Sequence, residues 1–293
     1  MKEQLNKKKK TKFIFTVAVT GGVGKSLSAS LIVETLRLSM NNGIKTVAIT
    51  CDPDHQDLNE RYGLRDSYGA LIEEQDIYEG VQFIDFSNPE IRENQFKKLF
   101  SYDADYVVVD FGAGQVSSFD QLFGNIDKFK QFIRFARLDI TFVCPVKDEK
   151  TFTEFNNLSN LFGNSVNFVL AFNEGLLKAT KTISTESKKE LTSKINALDV
   201  DKFVIKETLT ETIISGLAKN PFRKLYTPRI ERQSVDEDGD IVYTSNDDDY
   251  ILQDMNDQFI LDNVLTLTTH QINGLFGLPQ PYKDTIEGEM DNF

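Results

Sequence analysis

The residues with the clearest chemical purpose stand close together near the amino end of this 293-residue chain, as Gly21-Gly22-Val23-Gly24-Lys25-Ser26. Closely spaced glycines permit a tight turn in which successive backbone N–H groups converge on an anion. A helix opening at Ser26 adds its N-terminal dipole to the same point. The Lys25 ammonium suits β- and γ-phosphate oxygens, and the Ser26 hydroxyl suits Mg2+. The backbone from Gly21 through Ser26 and on to Leu27 is therefore the candidate cradle for a phosphate chain.

Three further residues stand at the ends of apolar runs. Asp110 closes Tyr106-Val107-Val108-Val109 and precedes Phe111-Gly112-Ala113-Gly114. Three valines before one buried acid call for a cation or a hydrogen-bond network to receive it. Asp52 follows Thr46–Thr50 and precedes Pro53, where it is either a turn-former or a site residue. Asn173 ends Val169-Leu170-Ala171-Phe172, where an asparagine either caps the next helix or faces a ligand.

These positions need strands and helices to hold them. Phe13–Val19 reads as a strand into the glycine loop, and Leu27–Met40 as a helix buried around much of its circumference. Asn41-Asn42-Gly43 stops that helix, and Thr46–Thr50 is the second strand, completing a βαβ unit. Further strands are expected at 81–86, 106–110, 140–144, 166–172 and 202–206. Helices are expected at 88–100, 119–135, 148–162 and 183–198. Such alternation predicts an α/β fold, a doubly wound and mostly parallel sheet.

In its glycine loop the sequence resembles the deviant Walker A motif, K-G-G-x-G-K-[ST], of the ParA/MinD superfamily of P-loop ATPases. The match runs from Gly21 to Ser26 and extends to the two strand-end acids; the order of elements follows the family over roughly residues 10–220. The resemblance implies ATP and Mg2+ as cofactors. It places Asp52 beside the attacking water and the metal, Asp110 on Mg2+ through water, and Asn173 against adenine. Lys25 and Asp52 become the catalytic residues, and Ser26, Asp52 and Asp110 the metal residues. The guanine-reading N/T-K-x-D pattern is not found at Asn173-Glu174. One position departs from the family: its first lysine, which crosses a dimer interface to the other subunit's nucleotide, is Thr20 here.

Composition narrows the setting. Two cysteines, Cys51 and Cys144, and two histidines, His55 and His270, are too few for a disulfide framework, an all-cysteine cluster or a histidine-built metal site. The longest nearly unbroken apolar run is strand length, so no membrane span and no secretory signal are expected, and the chain reads as cytoplasmic. The net charge of −12 is uneven: residues 231–293 carry 15 acidic and two basic side chains, and the rest of the chain 31 basic and 30 acidic. The acidic end is expected to repel nucleic acid and anionic lipid. Lys7–Lys10 either contact such a polyanion or form a solvated tail.

The chain is accordingly divided into a basic tail (1–12), a P-loop ATPase domain (13–228), an acidic hairpin-and-helix extension (229–280) and a mobile acidic tail (281–293). The hairpin is expected around Asp236–Asp240, and the helix from Tyr250 to Phe276. The implied function is a slowly hydrolysing ATP switch that recruits a protein partner or cargo, in DNA or plasmid partition or mobile-element maintenance. Thr20 favours an alternative, a nucleotide-responsive adaptor that binds ATP or ADP with little hydrolysis. A nucleotide-dependent homodimer is implied, weakened by Thr20, with the apolar face of the hairpin and long helix of residues 229–276 as its expected support.

Overall fold

The structure, a computed structural model, describes residues 10–38, 43–53, 55–86, 88, 90–115, 120–121, 123–206, 209, 213, 216, 222, 232–235, 241–244 and 255–278. Within these, seven strands form one sheet: β1 (Lys12–Thr16), β2 (Thr46–Thr50), β3 (Val81–Phe83), β4 (Tyr106–Asp110), β5 (Asp139–Val146), β6 (Asn167–Asn173) and β7 (Asp201–Ile205). Their order is β3-β2-β4-β1-β5-β6-β7, and every neighbouring pair is parallel. The α-helices whose bounds are described are α1 (Lys25–Leu38), α2 (Asp57–Tyr62), α3 (Arg92–Leu99), α4 (Ile126–Phe135), α5 (Glu149–Phe162), α6 (Glu174–Ala179), α7 (Thr185–Ala197) and α8 (Met255–Phe276). A separate antiparallel pair, β8 (Arg232–Val235) and β9 (Ile241–Thr244), forms the expected hairpin.

Parallel strands covered on both faces read as continuous apolar runs, and alternate side chains must serve two cores. Phe13 and Phe15 of β1 enter one core with Val107 and Val109 of β4, while Ile14 and Val108 enter the other. The first core is phenylalanine-rich: Phe15 lies 5.2 Å from Phe111 and 6.0 Å from Phe142, ring centre to ring centre. Edge and offset ring contacts of this kind add to the burial of the rings themselves. The second core lies under α1 and α8.

Helix α8 corrects one expectation. Leu261, Val264, Ile272 and Phe276 are buried in the second core, and Thr35 of α1 bonds Thr269 at 3.5 Å. The Gln271 carboxamide accepts from the Val204 N–H of β7 at 2.6 Å. These apolar residues of α8 are thus used inside the subunit, while Leu267 of the same helix stays exposed. The same packing explains why Leu31, Ile32, Val33 and Leu36 of α1 are all buried: sheet lies on one side of the helix and α8 on another.

Other differences are local. The expected 119–135 helix is broken in two: Asp120, Gln121 and Phe123 are helical, Gly124 at φ +78° and extended Asn125 interrupt the chain, and α4 begins at Ile126, where the Asn125 side chain caps it by accepting from the Lys128 N–H. Helices α2 and α6 were not expected. Lys7, Lys8 and Lys9, the 236–240 turn and the 281–293 tail lie outside the described residues. No described helix is long and apolar enough to cross a membrane.

Candidate functional site

In an open parallel sheet the ligand crevice lies beyond the carboxyl ends of the strands, where strand order reverses. Here that point is the loop after β1, flanked by β4 and β5. A cleft of about 680 Å3 opens there. Of the residues expected from sequence, Gly21, Gly22, Gly24, Lys25, Ser26 and Leu27 line it, joined by Asp52 and Asn173. Val23 is fully buried, its side chain anchoring the loop in the core. Asp110 sits at the end of β4, buried and next to the loop rather than on the cleft wall.

The loop conformation requires glycine at two points. Gly22 has φ +63° and Gly24 φ +99°, where a side chain is strained. A Cβ at Gly24 would also meet Asn173 Nδ2 at 3.0 Å. Helix α1 starts at Lys25, so its first N–H groups open toward the cleft.

Asp110 is a buried, perturbed acid beside the loop. Thr16 Oγ1 donates to its Oδ1 at 3.0 Å, while Oδ2 is buried with no hydrogen-bond partner among the described residues. Burial pushes its pKa up to about 6; the Ser26 and Thr16 hydroxyls and the Lys25 charge pull the other way. A buried carboxylate oxygen lacking a bond is what a cation or its hydration shell would satisfy. Asp52 forms the turn, its Oδ1 accepting from the His55 N–H at 3.1 Å, and it also lines the cleft, where its Oδ2 would lie 3.2 Å from a Cβ at Gly112. Asn173 likewise does two things. Its Oδ1 accepts from the Leu176 N–H at 3.1 Å, capping α6, while its amide nitrogen approaches Gly24.

Four features were not read from the sequence. Gln115 ties the two acid-bearing loops together, accepting from the Gly112 N–H at 2.8 Å and donating to the Cys51 carbonyl at 2.9 Å. Arg61 and Asp57 of α2 line the cleft. Lys147, after β5, donates to the Gly22 carbonyl at 2.8 Å. Glu154 of α5 accepts from both the N–H and the hydroxyl of Thr20, at 3.2 and 2.5 Å. A six-residue helix is too short for a periodic signal, and the other three contacts join segments far apart in sequence. Cys51 and Cys144 are buried free thiols, both pushed up by burial, as packed side chains are.

The strand, glycine loop and helix at the centre of this sheet form a P-loop arrangement. The fold is α/β and doubly wound. Among solved structures, the chain is similar to a plasmid partition protein from Borrelia burgdorferi, at 16% identity and TM-score 0.44, covering 72% of this chain and 96% of that one. It is also similar to the MinD cell division protein of Aquifex aeolicus, at 14% identity and TM-score 0.46, covering 93% and 100%. A third is a nucleotide-binding protein from Archaeoglobus fulgidus in complex with ADP, at 12% identity and TM-score 0.41, covering 72% and 86%. The sequence matches no family profile, and no curated protein matches it.

Proposed function

We propose that the chain is an ATP-binding, slowly hydrolysing molecular switch of the ParA/MinD kind. It would act by recruiting a protein partner or cargo, in DNA or plasmid partition or in the maintenance of a mobile element. One observation carries this reading: a single cleft gathers the glycine loop, Lys25, Asp52 and Asn173, with the under-bonded Asp110 behind it.

The residues divide the work. Backbone N–H groups of the loop and the first turn of α1 hold the phosphates, and Lys25 offsets their charge. Asn173, Leu176 and Leu209 form the less polar end of the cleft, suited to the base. Mg2+ fits the orphaned Asp110 oxygen, with the Ser26 hydroxyl and Asp52 as the other protein groups. No group of three or more His, Cys, Asp or Glu side chains is placed to hold a metal ion by itself among the described residues, so phosphates and water would complete such a site, as Mg2+ prefers. When bound, the ion neutralises charge developing on the transferred phosphoryl group. Asp52 orients water, and Gln115 couples movement of the Asp52 loop to that of the Gly112 loop.

The adaptor reading draws on a specific contact. Thr20 stands where the resembled family has its lysine, and its partner Glu154 brings negative charge to that point. Binding with little turnover, and a weak nucleotide-dependent homodimer, follow from this. The two readings separate at Asp52. The Asp52→Ala variant is expected to bind ATP within about 3-fold of wild type and to lose about 100-fold or more in single-turnover phosphate release, the usual scale for a positioned base. Equal phosphate release in both proteins would leave Asp52 as a turn residue only.

A further inference from the structure

The sheet order gives the cleft two distinct ends. Asn173 closes β6 and Leu176 follows it on one side of β1, whereas Asp52, Asp57 and Arg61 follow β2 on the other, with Ala113 after β4 beside them. A nucleotide whose phosphates rest on the glycine loop, with its base toward β6, points its terminal phosphate toward β2 and β4. Three carboxylates, those of Asp52, Asp57 and Asp110, stand at that end. A terminal phosphate brought beside them is repelled unless cations offset the charge. Lys25 is one such cation, and Thr20 supplies none.

Arg61 occupies the same end. It sits in the last turn of α2, and its Nη1 donates to Ser30 Oγ at 2.5 Å. Ser30 Oγ in turn donates to the Ser26 carbonyl at 2.6 Å, so the guanidinium is tied to α1 one turn beyond the loop. A guanidinium presents a planar fork of donors matched to phosphate oxygens and stays charged when buried. We infer that Arg61 is a cation, supplied by the same chain, that contacts the terminal phosphate of a bound nucleoside triphosphate, with Ser30 as its positioning residue. The inference rests on the nucleotide reading above and adds a residue to it.

The test compares the full-length wild type with Arg61→Ala, Arg61→Lys and Lys25→Ala by isothermal titration, using AMPPNP and ADP with Mg2+. Arg61→Ala is expected to weaken AMPPNP binding by about 10- to 100-fold and ADP binding by no more than about 3-fold, the scale of one charge-assisted contact. Arg61→Lys keeps the charge without the fork and should retain part of the difference; it carries the comparison if thermal melting shows the alanine variant unfolded. Equal losses for AMPPNP and ADP, or no loss for either, would overturn the role given to Arg61. If Lys25→Ala loses both nucleotides while the Arg61 variants lose neither, the nucleotide reading stands and this inference alone falls. A wild type that binds neither nucleotide overturns both.

Discussion

Lys25→Ala is expected to lose at least about 100-fold in affinity for both ATP and ADP, because charge-assisted bonds to phosphate contribute roughly 1.5–3 kcal/mol each and every 1.4 kcal/mol is tenfold. The lysine is buried at the opening of α1, on the wall of the cleft, where its charge is poorly screened by solvent. Its removal leaves the loop glycines, Val23 and the buried face of α1 in place, so the fold should persist. Titration with both nucleotides, alongside a thermal melt, reads the two effects separately. Unchanged affinity in a folded variant would remove the phosphate-loop reading.

The second large effect is expected at Asp110, and it concerns stability as well as metal. With its pKa raised from 3.8 to about 6, the folded chain binds this proton more tightly than the unfolded chain does. The folded state is therefore favoured by protonation. That advantage is complete below the unfolded value, is lost as pH rises between 3.8 and about 6, and is absent above. At neutral pH the buried carboxylate thus costs on the order of 1–3 kcal/mol. Asp110→Asn keeps the shape and an acceptor for Thr16, so it should be more stable than wild type at neutral pH and similar to it near the acid end of the range. Urea denaturation at both pH values measures this. The same variant should bind ATP with no gain from Mg2+. A variant less stable than wild type at neutral pH would mean that the carboxylate is satisfied by something other than a bound cation.

Much of this site was legible in sequence for identifiable reasons. The valine run of β4 exceeds what an exposed strand tolerates, so its terminal acid Asp110 had to be buried, and it is; Asp52 stands two residues beyond the apolar strand β2, on the wall of the cleft. The glycine loop is local, and local geometry can be read from residue types. At Asn173 residue type alone cannot separate a cap from a ligand contact; its Oδ1 caps α6, and its amide nitrogen lies close to Gly24 of the loop. What escaped were contacts between distant segments: Gln115 to Cys51, Arg61 to Ser30, Lys147 to Gly22. No periodicity encodes them. The fate of α8 escaped for a related reason, since an apolar helix face looks alike whether it covers its own sheet or a second copy.

The Thr20 pairing changes what a restored lysine would do. A lysine at that position would stand within reach of Glu154, which now holds both polar groups of Thr20. An internal ion pair would compete with any contact to another subunit. Charge at the loop therefore depends on Lys25, Arg61 and Lys147, each supplied by the same chain.

The most direct measurement of the central claim is photo-crosslinking of the intact chain with 8-azido-ATP, followed by peptide mapping. Leu176 and Leu209, with Asn173, line the end of the cleft assigned to the base. The expected result is a labelled peptide containing one of these residues, with labelling suppressed by excess ATP and lost in Lys25→Ala. Labelling elsewhere on the chain, or labelling that excess ATP leaves unchanged, would contradict the assignment of this cleft to a nucleotide.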